Sequence, residues 1–299
     1  MEHKPEIIAA GKLEPLNAKG RWLLFVLVLF GLGLTIYGES LHALFVAVLQ
    51  REGSSHGLFV PFISGYIIWL KLDKIKEIKS QLALLPGGMV VAVGFLIFYF
   101  YRNNTGFSMA ALSFLLVAAG LILLLFGREM FKEVSFPLVF LVTMIPLPTA
   151  VYSQLSEWMR QATTWGAVTL IQPLDIPMHR DGYHVYLPKI HLYVAHSCSG
   201  IRYLLSYFVF GIFYAFLYRQ SSKARLLLVA ATVPLSIVGG MIRLWVIFAT
   251  AYYIGPIMTE NRPHVLLSWS VFMVVLVAAI GLDRYVLRKQ KSSKLKAQS

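Results

Sequence analysis

The chain has 299 residues, of which 58% are hydrophobic and 14% charged, with 27 Lys and Arg against 14 Asp and Glu. A soluble domain is nearer half apolar and a quarter charged, so this composition excludes a soluble globular protein and defines an integral membrane protein. The formal charge of +13 does not point to nucleic acid, because the basic residues cluster between and beyond the apolar runs instead of on one soluble face.

A hydrocarbon core of about 30 Å demands roughly 20 apolar residues per helical span. Unbroken runs of that kind favour helices over a barrel, whose strands would alternate. In chain order the runs predict spans near 22–38, 57–70, 84–101, 108–126, 135–152, 199–218, 226–254 and 264–283. The expected fold is therefore an all-α polytopic membrane protein of about eight transmembrane helices. It is read as one membrane-embedded domain over 1–299, with an N-terminal segment to 21, a core at 22–283 and a basic, disordered tail from 284. The first run follows a basic start without a small-residue cleavage site and is read as an uncleaved span. Pro61 interrupts the second, and Pro234 with Gly239-Gly240 suggests a kink or tilt in the seventh.

Orientation follows from the positive-inside rule. Nineteen of the 27 basic residues lie at the termini and in the loops at 71–82, 127–134 and 219–225. The alternate loops hold six, including Arg51 and Arg102, and the remaining two, Arg202 and Arg243, fall inside spans. This asymmetry places both termini in the cytoplasm.

The longest external segment is 153–198. Leu155, Trp158, Met159, Ala162, Trp165 and Val168 recur at helical intervals, and the two tryptophans suit an amphipathic helix at headgroup level. Alternation around Asp181-Gly182, and again along Ile190, Leu192 and Val194, predicts a short β-hairpin and strand leading to Cys198.

Cys198 is the only cysteine, so an internal disulfide and a cysteine-based metal site are excluded, and no cofactor is implied. It opens span six on the outer side, and His264 opens span eight on the same side. Arg243 lies eleven residues before the outer end of span seven, roughly 16 Å down at 1.5 Å per residue. An isolated cysteine is commonly an inert small hydrophobe, and a histidine at a helix end is commonly an interface residue. An intramembrane arginine costs at least about 2.5 kcal/mol and points to function or a specific partner. Together the three have a joint use. A helix N-terminus and a nearby cation favour the nucleophilic thiolate. Histidine shuttles its proton, and arginine holds a substrate carbonyl and its developing oxyanion. No acidic residue is mid-membrane, which disfavours a proton-coupled transporter.

"SCSGIR" at 197–202 resembles the active-site cysteine motif of the exosortase/archaeosortase family of membrane-embedded sorting transpeptidases and proteases. "SHGLFVPFISGYIIW" at 55–69 resembles that family's second-span segment, and "FPLVFLVTMIPLP" at 136–148 its F-P-to-P-L-P stretch. The likeness runs from about 55 to 275, with the motifs in the family's order. It implies Cys198 as nucleophile and Arg243 and His264 as its catalytic partners, with Arg202 supporting or binding substrate. One departure is Gly240, where the family often has Asn three residues before the arginine. The resemblance further implies substrates that are secreted proteins with a C-terminal tripartite signal: a short motif, a hydrophobic helix and a basic tail. They would be cut at the outer face of the cell membrane through a thioester. The family accompanies exopolysaccharide loci in bacteria and surface-layer anchoring in archaea. Beside membrane lipid, no other partner is implied. Two rival readings are a transporter or export factor for an envelope polysaccharide, in which Cys198 is dispensable, and a membrane-bound acyltransferase.

Overall fold

The computed structural model describes residues 18–50, 53–79, 81–101, 107–218, 221–259 and 261–296. Arg51, Arg102, Arg219 and most of the N-terminal segment, which entered the charge count above, lie outside the described residues. The helices are α1 (Ala18–Thr35), α2 (Gly38–Gln50), α3 (Val60–Leu70), α4 (Leu72–Glu77), α5 (Leu84–Tyr101), α6 (Phe107–Leu141), α7 (Thr149–Ile171), α8 (Ile201–Tyr218), α9 (Ser222–Tyr253) and α10 (Asn261–Lys296). Three strands, β1 (His179–Asp181), β2 (His184–Leu187) and β3 (Ile190–Tyr193), lie between α7 and α8. The chain divides into two compact units, residues 1–45 with 64–142 and residues 46–63 with 143–299.

Among the described residues, five helices are long and apolar enough to cross a membrane, or six if α1 and α2, bent by 81°, form one span. Eight spans were expected, and the differences have local causes. The apolar run at 57–70 yields only the eleven-residue α3 behind a 3₁₀ turn at Ser55–Leu58. The run at 135–152 is not one helix, because Pro146 and Pro148 stand in non-helical backbone between the end of α6 and the start of α7. α6 itself breaks at Gly127, whose φ of 85° and ψ of −175° join two helical stretches. The tail expected to be irregular stays helical to Lys296.

In the first unit α5 packs along α6. Close approach is possible because glycines stand at the contact: a Cβ on Gly87 would lie 2.5 Å from Leu124 Cα. Trp22 of α1 packs on Phe126, with ring centroids 4.4 Å apart, and Lys71 pairs with Glu133 at 3.0 Å.

The second unit combines α7 to α10 with the sheet. The strands run antiparallel in the order β1-β2-β3, with Asp181 opposite His184 and Val185 opposite Leu192. Period-2 alternation sends Val185 and Leu187 inward, where they join Ala167 and Ile171 of α7 and Leu244, Ile247 and Phe248 of α9. The other sheet face carries the rings of His179, His184, Tyr186, His191 and Tyr193. On α7 the residues turned inward are Ser156, Met159, Arg160, Thr163, Thr164, Gly166 and Ala167, whereas Trp158 and Trp165 are exposed. The helix is therefore amphipathic in an unexpected sense: its small and polar stripe is the packed one, because small residues let α9 approach closely.

Two tyrosines of α8 hold α10. Tyr203 donates to the Ser268 carbonyl at 3.0 Å and Tyr207 to the Phe272 carbonyl at 3.1 Å, and Tyr207 stacks on Phe272. These two rungs, one helical turn apart on each side, fix where α10 begins relative to the segment before α8.

Candidate active site

Cys198 closes a short 3₁₀ turn, His196–Cys198, in which its N–H donates to the Ala195 carbonyl at 2.9 Å. Gly200, at φ 82°, then lets the chain change direction into α8, and its carbonyl accepts the N–H groups of Tyr203 and Leu204. The turn is braced from below: Ser156 of α7 donates to the Ser199 hydroxyl at 3.1 Å, and both serines are fully buried.

Arg243 is buried in α9, with 3% of its surface exposed. The loop after α9 brings His264 back to it. Gly255, at φ 114°, turns the chain, and the 3₁₀ segment Pro256–Thr259 packs back against α9, so that α10 starts low enough for His264 to meet the guanidinium. Cys198 Sγ lies 3.6 Å from His264 Nε2 and 3.6 Å from Arg243 Nη2, and Arg243 Nη2 donates to His264 Nε2. Guanidinium nitrogens only donate, so this contact suits a neutral imidazole with Nε2 as the acceptor. Among the described residues the buried Nε of Arg243 has no hydrogen-bond partner. A buried donor left so costs about 1–3 kcal/mol, which a bound acceptor would relieve.

Three of the four anticipated residues are thus brought together, from three different elements. Arg202 goes elsewhere. It is exposed, and a Cβ placed on Gly53 would lie 3.5 Å from its Cγ and 3.3 Å from the Tyr152 hydroxyl. His56 sits between the backbones of Gly53 and Thr143, and Gly57 abuts the Met144 carbonyl. Parts of two motif segments thus meet at His56-Gly57 and Thr143-Met144.

A further cluster escaped the sequence reading. Arg160 is 4% exposed; it donates to Tyr193 Oη at 3.1 Å, the Val194 carbonyl at 3.3 Å and Glu157 Oε2 at 2.6 Å, and lies 3.4 Å over the Tyr183 ring. The Tyr183 hydroxyl, with Arg160 adding charge, holds the Glu157 carboxyl below its usual range. This ties the sheet to α7 just before the cysteine turn. Charge counting places Arg160 only among the six basic residues of the alternate loops; its position one residue after Met159, on the same stripe as Thr163 and Thr164, is the available signal.

Gly240 also finds a reason. A Cβ there would lie 2.6 Å from Thr163 Cγ2 and 3.7 Å from Gly200 Cα, so α7 occupies the space an Asn side chain needs. Gly240→Asn is expected to lower the membrane-inserted protein level, overpacking costing about 1–3 kcal/mol. Adding Thr163→Ala should restore most of it. Immunoblots of membrane fractions decide this, and equal levels in the single and double variants would contradict the steric account.

Among the described residues no group of three or more His, Cys, Asp or Glu could hold a metal ion. The long apolar helices define a multi-pass membrane protein, and its polar centre is a Cys-His-Arg cluster. Over residues 48–281 the sequence matches the transmembrane exosortase family, and the chain belongs to that family. No curated protein and no solved structure matches it.

Proposed function

We propose that the protein is a cysteine transpeptidase or protease that removes a C-terminal sorting signal from secreted proteins at the outer face of the cell membrane. The observation that carries this reading is the placement of one thiol within 3.6 Å of both a histidine ring nitrogen and a buried arginine. Family membership supports it, and the partnerless Nε of Arg243 supplies a donor for a substrate oxygen.

The chemistry follows from the acceptor state of His264. Nε2 takes the Cys198 proton, and the thiolate attacks the scissile carbonyl carbon. Imidazolium beside guanidinium is repulsive, about 4 kcal/mol for unit charges 4 Å apart at an effective dielectric of 20, until negative charge appears between them. The thiolate and then the oxyanion supply that charge, and Arg243 donates to the oxyanion. Collapse breaks the C–N bond as His264 protonates the departing amine, so the hydrophobic helix and basic tail leave with a new N-terminus. An amine or water then attacks the thioester, gives its proton to His264 and releases the thiolate.

One cell-based experiment tests both the activity and the side of the membrane. Cells with the protein should release exported substrates lacking the C-terminal helix and tail. In a Cys198→Ala background, a cysteine at Thr259 should react with an impermeant thiol reagent while one at Ser222 should not. Intact substrate C-termini would contradict the activity, and the reverse labelling pattern would place the site in the cytoplasm.

A further inference from the structure

The exposed side of α7 carries a cleft that the site does not use. It is open to the surroundings, offers about 260 Å³ and is lined by Trp158, Gln161, Ala162 and Trp165 of α7 and by Arg180 of β1. The four helix residues follow the i, i+3, i+4, i+7 spacing of one stripe. The two indoles are 51% and 63% exposed. Arg180 is set by a bond from its Nε to the Gly182 carbonyl at 2.8 Å, across the β1–β2 turn. Strand alternation places His179 and the adjacent Asp181 on the opposite sheet face from Arg180. The Glu157 carboxylate of α7 is engaged by Arg160 and Tyr183.

We propose that this cleft seats the headgroup of a membrane phospholipid, with Arg180 on the phosphate and the two indoles around the glycerol and first acyl carbons. Arginine's planar fork matches phosphate oxygens, and tryptophan favours the headgroup layer because its ring is apolar with one polar N–H. A free phosphate ion has no use for two indole walls, whereas lipid surrounds a multi-pass protein. The consequence is positional. The same helix braces the cysteine turn through Ser156 and Ser199 on its buried side, so a seated headgroup fixes the depth of Cys198 at the membrane surface.

The test is native mass spectrometry of the purified, delipidated protein titrated in detergent with phosphatidylglycerol. One tightly held lipid is expected, and Arg180→Gln or Trp165→Leu should weaken it at least about tenfold. Diacylglycerol with the same chains should bind no better than phosphatidylglycerol binds the Arg180→Gln variant, and excess inorganic phosphate should not displace the lipid. Unchanged binding in both variants would overturn the proposal. So would equal retention of diacylglycerol, which makes the cleft a plain apolar patch, or full displacement by phosphate, which makes it a free-anion site. The alkylation rate of Cys198 in each variant reports whether the fold is intact, and Trp158→Phe with Gln161→Ala replaces any variant that fails it.

Discussion

Cys198→Ala is expected to abolish removal of the C-terminal signal while the protein accumulates normally in the membrane. The proposed mechanism routes both half-reactions through this sulfur, and Cys198 is the only cysteine of the chain. Removing one member of such a unit lowers the rate by about 10⁴-fold or more. The structural cost is small: the side chain is partly exposed and only flanks the core formed by α7, α9 and the sheet, so losing it costs about 1 kcal/mol or less. Cys198→Ser should be nearly as inactive, since a hydroxyl is a far weaker nucleophile at neutral pH. The cleaved fraction of a co-expressed substrate, normalised to enzyme by immunoblot, measures both. Normal cleavage by the alanine variant would contradict the thioester mechanism.

Arg243→Lys separates charge from geometry. The guanidinium uses Nη2 for both Cys198 Sγ and His264 Nε2 and keeps a buried Nε for a further acceptor. Lysine retains the charge, but its single ammonium on a flexible stem cannot make these directed contacts at once. Loss of one preorganised oxyanion donor typically costs about 10²- to 10³-fold in rate, roughly 2.7–4 kcal/mol. The lysine variant should therefore insert and accumulate yet turn over at least about a hundredfold more slowly. If Arg243 served only to hold α9, the variant would be degraded and its specific activity per surviving molecule would be near normal. Initial rates and protein levels from one culture distinguish the two.

The residues of the candidate site were legible because each is costly or rare where it stands. An arginine inside an apolar run, a lone cysteine at the start of another and a histidine at the start of a third are visible in a single sequence. The long helices were legible for the simpler reason that hydropathy is additive along a window. What the window cannot register is backbone geometry. Pro146 and Pro148 divide a run that reads as one span, and Gly127 redirects α6, without changing its mean hydropathy much. Tertiary pairing was equally hidden. Arg160 counts as an exterior charge until Tyr183 and Tyr193, more than twenty residues later, close over it. The descent of the loop after Gly255 and the fit of Thr163 against Gly240 depend on helix packing that no local pattern encodes.

The most direct measurement is the intact mass of the enzyme during turnover. Protein quenched in acid while cleaving a defined substrate should carry an adduct equal to the N-terminal product acyl group. That adduct should map to Cys198, disappear with hydroxylamine as a thioester does, and accumulate when the acceptor amine is withheld. Efficient tail removal with an unmodified Cys198 at every quench time, and unchanged activity after its alkylation, would contradict the account.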